Sequence, residues 1–321
     1  MLRTNLITIL CLIIVELIYS QEVFQYEEPL QSGEIFLTDT ISISYEKAGY
    51  TLVVPLGGSK GVVVFLNANR DPLQYNIKPN FEYYALKNNL GILYVTTGNR
   101  LEFFFDISKM DLVKNYLMNA IEKYKLPKDD IFFAGMSLAG TRAIKFANYL
   151  LSDSTNIIKP KAIAICDSPL DFVRFWKEET EARDLNFQPA AANEGAWVSG
   201  YLEKNLGGTP KDALGKYINY SPYCYDGENK KLSLLKDIPI RAYSEPDVKW
   251  WMKTRRKDYY EMNVIDLAAF IDELNKLGND KAELILTQNK GYLPDGTRHP
   301  HSWSIVDNEE LVKWFKSFCT K

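Results

Sequence analysis

The sequence predicts an α/β fold, a mainly parallel sheet with helices on both faces. Three observations carry this. Short apolar, β-branched runs such as "GVVVFLN" (61–67) have the pattern of strands buried on both faces. These runs alternate with amphipathic helical segments, the order that builds parallel strands joined by crossover helices. One strand, "IFFAG" (131–135), passes into the helix "LAGTRAIKFANYLLS" (138–152) with only Met136 and Ser137 between them.

The elements follow in order. Residues 1–20, "MLRTNLITILCLIIVELIYS", have an early Arg, an apolar run and a small residue at the end, the layout of a signal peptide cleaved after Ser20. The run is short for a membrane span and holds Glu16. The expected mature chain is therefore secreted or periplasmic, with no stable membrane insertion. Residues 21–33 form a polar extension expected to be loosely held. Next, "EIFLTDTISISYEKA" (34–48) and "YTLVVPL" (50–56) alternate enough for antiparallel strands. "FEYYALKNN" (81–89) is a short helix and "LGILYVTTG" (90–98) another buried strand. In "KMDLVKNYLMNAIEKYKL" (109–126), Leu112, Val113, Leu117 and Ile121 have helical spacing, and Pro127 follows the helix end.

"KAIAICD" (161–167) is a further strand. After it, some 70 residues (about 167–237) carry helical pieces and no clear strand, which suggests a cap inserted over the carboxyl edge of the sheet. The alternation then resumes with the strand "IPIRAYSE" (238–245), the helix "VIDLAAFIDELNKLG" (264–278), the strand "AELILTQ" (282–288) and a closing helix in 304–318. One domain over 34–321 with an inserted cap is the simplest organisation.

Composition narrows the function. Lys+Arg 38 against Asp+Glu 41 gives a net charge of −3, so no basic field points to nucleic acid. Without Cys11 in the leader, Cys166, Cys224 and Cys319 remain, too few for a disulfide-built scaffold. No residues have metal-ligand spacing, and no cofactor is expected. Cys166 ends a strand and has the setting of a buried small apolar residue. The 36 Phe and Tyr residues fit core packing better than a binding cleft.

"GMSLAG" (135–140) carries the chemistry. A serine at the tip of a strand–turn–helix needs small neighbours so that strand and helix can pack. It also lies where the helix N–H groups favour developing negative charge. The fifth position of Gly-x-Ser-x-Gly is Ala139 here, with Gly140 next. A serine hydroxyl needs a base. The chain has just two histidines, His299 and His301, both in "GTRHPHSW" between the last strand and the last helix. His301 is favoured over His299. Asp247, in "SEPD" beyond the strand 238–245, is the favoured acid, with Glu245 and Asp167 as rivals. The N–H of Leu138, with that of Ala68 or Asn69, would hold an oxyanion. Arg298 reads as a loop charge and a less favoured anion clamp. Trp250, Trp251, Trp176 and Trp197 are open between pocket wall and packing.

From "GMSLAG", "SEPD" and "RHPHSW", residues 45–318 resemble an α/β-hydrolase-fold enzyme. The resemblance implies an eight-stranded, mostly parallel sheet and serine–histidine–acid chemistry without a cofactor. The expected activity is ester cleavage through an acyl-enzyme, on a small-molecule or carbohydrate-linked ester. A peptidase of the same fold and a non-catalytic binding protein are the alternatives.

Overall fold

The computed structural model describes residues 21–28, 34–36, 42–44, 47–68, 70, 79–99 and 101–320. The signal-peptide reading, the oxyanion candidate Asn69 and parts of the 29–46 stretch lie outside these residues. Among the described residues, the elements of the sheet are β1 (Gln21–Glu27), β4 (Gly49–Pro55), β5 (Gly61–Leu66), β6 (Leu90–Thr96), β7 (Ile131–Met136), β8 (Pro160–Cys166), β9 (Ile240–Ser244) and β10 (Ala282–Leu286). Their order is β1-β4-β6-β5-β7-β8-β9-β10. The β1/β4 and β4/β6 pairs are antiparallel, and every other pair is parallel. Residues 34–36 (β2) and 42–44 (β3) form a separate antiparallel ribbon.

One expectation changes. Residues 21–27 are an edge strand rather than a loose extension. Val23, Phe24 and Tyr26 pair opposite Val53, Leu52 and Tyr50, and the Tyr26 ring stacks on Tyr50 at 5.3 Å. Cross-strand aromatic packing of this kind stabilises a strand that its polar composition does not advertise.

The period of two along the central strands divides their side chains between two cores. Val62, Val64 and Leu66 of β5, with Ile131 and Phe133 of β7, face one side. There they meet α2 (Ile107–Tyr124), α3 (Leu138–Ser152) and α8 (Val264–Lys276), through Leu117, Ile144 and Phe270. Val63, Phe132 and Ala134 face the other side. They meet α1 (Phe81–Lys87) and α9 (Asn308–Ser317), through Phe81, Leu311 and Phe315.

The insertion after β8 consists of α4 (Phe172–Leu185), α5 (Pro189–Leu206), α6 (Pro210–Tyr220) and a short 3-10 helix (Lys230–Leu235). Phe172, Val198, Leu202 and Tyr217 make its own small core. Phe103 joins them, and Leu138 packs at its border. The insertion therefore leans on the end of the sheet where Ser137 stands. After β9 comes α7 (Val248–Arg255), which carries Trp250 and Trp251. Among the described residues, no helix is long and apolar enough to cross a membrane.

Candidate active site

Ser137 joins β7 to α3 with φ 52° and ψ −130°, a backbone region that L residues adopt only under constraint. Its N–H donates to the Cys166 carbonyl at 2.8 Å, and its carbonyl accepts from Gly140 N at 3.0 Å. The neighbouring glycines explain how the turn closes. A Cβ on Gly135 would stand 2.4 Å from the Ala139 carbonyl carbon. One on Gly140 would stand 2.0 Å from Ser168 Oγ and 2.9 Å from the Gly135 oxygen. Ala139 fills the fifth motif position without harm because the tight approach is made at 140.

Leu138 is the first residue of α3, so its N–H has no carbonyl one turn earlier in the helix. It remains a candidate oxyanion donor. Ala68 does not fit that role: its N–H donates to the Val95 carbonyl at 3.1 Å. The loop after β5 is turned by Asn67, at φ 50°, whose Oδ1 accepts from Thr97 N at 3.0 Å.

The acid beside the histidine is Asp167, not Asp247. β7 and β8 run parallel with Met136 opposite Cys166, so Ser137 and Asp167 leave adjacent strands side by side. Adjacent strands lie about 4.8 Å apart. Asp167, itself at φ 45°, is buried. Its N–H donates to the Tyr243 carbonyl at 2.8 Å. Ser244 Oγ donates to Asp167 Oδ1 at 2.9 Å, and His301 Nδ1 lies 2.6 Å from Oδ2. From behind, Asn263 Nδ2 donates to the Asp167 carbonyl at 3.0 Å. Arg174 Nη2 donates to Asn263 Oδ1 at 2.9 Å, and Arg174 also pairs with Asp266 and Glu178. Asp266 in turn accepts from Leu170 N at 2.9 Å and Asp171 N at 3.1 Å. A buried ionic cluster thus fixes the segment that bears the acid.

Burial alone would lower the His301 pKa. The Asp167 hydrogen bond and charge outweigh it, and the net direction is upward. For His299 burial dominates, the charge of His301 adds to it, and the pKa falls. His299 Nδ1 is buried with no hydrogen-bond partner, and its ring leans on Trp250 at 5.5 Å. The Trp251 ring stands edge-on to His301 at 6.4 Å. The two tryptophans therefore flank the histidine loop.

Glu245 and Asp247 are occupied elsewhere. Asp247 caps α7 by accepting from Trp250 N at 3.0 Å, and accepts from Arg298 Nη2 at 2.8 Å. Glu245 is 3% exposed. It accepts from Thr287 Oγ1 and Lys290 N, both at 2.9 Å, and from Arg298 Nη2. Burial pushes its pKa up, but these donors outweigh burial, and the carboxyl is held below its ordinary value. Arg298 Nη1 also donates to the Gly291 carbonyl at 2.7 Å. Arg298 is thus neither a free loop charge nor an anion clamp: it ties the loop carrying His301 to the end of β9. A guanidinium three residues before the histidine was the sequence signal that these two carboxylates would be claimed.

Cys166 Sγ is buried, and burial with the adjacent Asp167 charge pushes its pKa well up, which keeps the thiol inert. Among the described residues, no group of His, Cys, Asp and Glu could hold a metal ion.

No protein-family model matches the sequence, and no curated protein matches it. Solved structures do match. Carboxyl esterase 2 from the fungus Tuber melanosporum superposes with TM-score 0.58 at 13% identity, over 94% of this chain and 88% of that one. MPT51 of Mycobacterium tuberculosis gives 0.51 at 12% identity, over 92% and 99%. An acylaminoacyl peptidase from Pyrococcus horikoshii gives 0.50 at 13% identity, over 95% of this chain and 42% of that one. Identity this low carries architecture and not activity. With this strand order and these likenesses, the chain has the α/β-hydrolase fold.

Proposed function

We propose that the protein is a serine hydrolase that cleaves esters through an acyl-enzyme, with Ser137 as nucleophile, His301 as base and Asp167 as the acid. One observation carries the reading. The 2.6 Å contact from Asp167 to His301 Nδ1 stands at the strand end next to the constrained turn of Ser137. A carboxylate on Nδ1 leaves Nε2 to accept a proton from a hydroxyl. In this scheme His301 takes the Ser137 proton as Oγ attacks the acyl carbonyl. The imidazolium formed is stabilised by Asp167. The Leu138 N–H, at the positive end of α3, meets the oxyanion. His301 then returns the proton to the leaving oxygen, and water, activated by the same ring, releases the acid.

An acylated carbohydrate or other small ester is the substrate class we favour. Leader-like residues 1–20 support action outside the cytoplasm. The test is fluorophosphonate labelling of the purified chain, followed by a panel of aryl esters, acetylated sugars and aminoacyl amides. Labelling at Ser137, lost in Ser137→Ala, with ester turnover above amide turnover, is the expected result. A folded sample that neither labels nor turns over any substrate would make this a binding protein. Amide cleavage in excess would make it a peptidase.

A further inference from the structure

Lys145 lies two turns into α3, away from the acyl site. It is 9% exposed, and its Nζ has no hydrogen-bond partner. Three rings surround the ammonium: Phe105 at 5.0 Å, Phe172 at 5.1 Å and Tyr220 at 5.4 Å from Nζ to ring centroid. Ring faces attract a cation, but they offset only part of what an ammonium loses on leaving water. Burial accordingly brings the Lys145 pKa down to about 7, with the charge of Lys231 adding to the fall and that of Glu102 opposing it.

Lys145 borders a cavity of about 320 Å³ between α2, α3, the end of α6 and the 3-10 helix. Lys231 also lines it, and no carboxylate stands among its described lining residues. Glu102, the acid that bears on Lys145, is not among them, and it accepts from Phe104 N at 2.7 Å. Another lining residue, Asn148, has a buried Oδ1 without a partner. Phe105, Tyr220 and Met110 supply apolar walls. The cavity is thus cationic at one place and greasy elsewhere, and large enough for one aromatic ring.

We propose that this cavity binds a small carboxylate with an apolar body, its anionic head on Lys145 and Lys231 and its body against Phe105, Tyr220 and Met110. By accepting a charge-assisted hydrogen bond from the Lys145 ammonium, the carboxylate would complete the one buried cation that, among the described residues, has no hydrogen-bond partner. The inference does not depend on Ser137 being a nucleophile, because the cavity and the turn at 137 share no residue.

Titration calorimetry of the full chain with benzoate, and with benzamide as neutral isostere, tests it. Benzoate should bind, and benzamide at least about tenfold more weakly. Lys145→Met, which keeps the apolar bulk, should lose at least about tenfold in benzoate affinity, while ester turnover stays near wild type. Wild type alone supplies a second readout. Repeating the titration near neutral pH in buffers of different ionisation enthalpy should show net proton uptake as the carboxylate draws Lys145 toward its charged form. Equal benzoate affinity in K145M, equal binding of benzamide, no proton uptake, or no benzoate binding to the folded chain would each overturn the proposal.

Discussion

The sharpest prediction separates two aspartates. Asp167→Asn keeps the shape beside His301 and removes the charge. With about 4 Å between the centres of carboxylate and imidazolium, and an effective dielectric of about 20, their attraction is ~4 kcal/mol. That energy appears in the transition state, where the ring becomes charged, so its loss slows turnover by about 10³-fold. The wrong ring tautomer adds to this, as in serine proteases, where the corresponding change costs about 10⁴. Asp247→Asn instead keeps an oxygen for the helix cap and removes one of the two carboxylate charges on Arg298. Stability should change by no more than about 1 kcal/mol, and kcat should stay within about threefold of wild type, because no reacting group is touched and Glu245 still holds Arg298. The assay is steady-state hydrolysis of an aryl ester, with fluorophosphonate titration to count competent sites. If Asp247→Asn falls as far as Asp167→Asn, or if Asp167→Asn loses less than about tenfold, the assignment of the acid is wrong.

Three further outcomes are expected. Gly140→Ala should destabilise by about 1–3 kcal/mol through overpacking, and Ser168→Ala in the same chain should recover part of it by removing the 2.0 Å contact, the 2.9 Å approach to the Gly135 oxygen remaining; urea midpoints of the four proteins check this. Arg298→Met leaves the buried Glu245 without its cation, held by neutral donors, among them Thr287 Oγ1 and Lys290 N, at a cost of up to about 3 kcal/mol. In wild type the Glu245 pKa is depressed, so its stabilisation is present above the ordinary 4.5 and is lost as pH falls through the folded value. Without Arg298, acid unfolding should begin at higher pH, as tryptophan fluorescence would report. Finally, kcat/KM should rise with pH as His301 loses its proton, with a midpoint above the ordinary 6.5. In Asp167→Asn the residual activity should show a lower midpoint, because the carboxylate no longer offsets burial. An unmoved midpoint would mean that Asp167 does not face the titrating ring.

Much of the fold is legible in the sequence because its signals are local and strong. The strands β5, β6, β7 and β8 announce themselves as apolar runs, and the glycines at 135 and 140 mark the turn at Ser137. The histidine that meets a buried carboxylate is legible through scarcity, since a chain with two histidines, both in one loop, leaves little choice of partner. The edge strand 21–27 is not, because its stability comes from rings and partners on β4 rather than from its own composition. The carboxylate beside His301 is the instructive miss. Position along the chain favoured Asp247, but ionic pairing is decided in three dimensions, where Arg298 reaches both Glu245 and Asp247.

What the proposed chemistry would require is a carboxylate at Nδ1 of a histidine whose other ring nitrogen is left for the serine. In a parallel sheet two strand ends can supply it, since β8 borders the serine strand β7 and β9 borders β8. From the nearer end the acid emerges beside the serine turn, so it can reach the ring with a short side chain and a constrained backbone, as Asp167 does at φ 45°. The carboxylates at the farther end are then released from chemistry. Here they take up Arg298 and anchor the loop that delivers the histidine. On this view Glu245 and Asp247 act on His301 through its loop and not through its ring. Loss of both together would widen the range of ring positions and raise KM and lower kcat together, loss of Asp247 alone leaves Glu245 on Arg298, and loss of Asp167 would strike kcat alone.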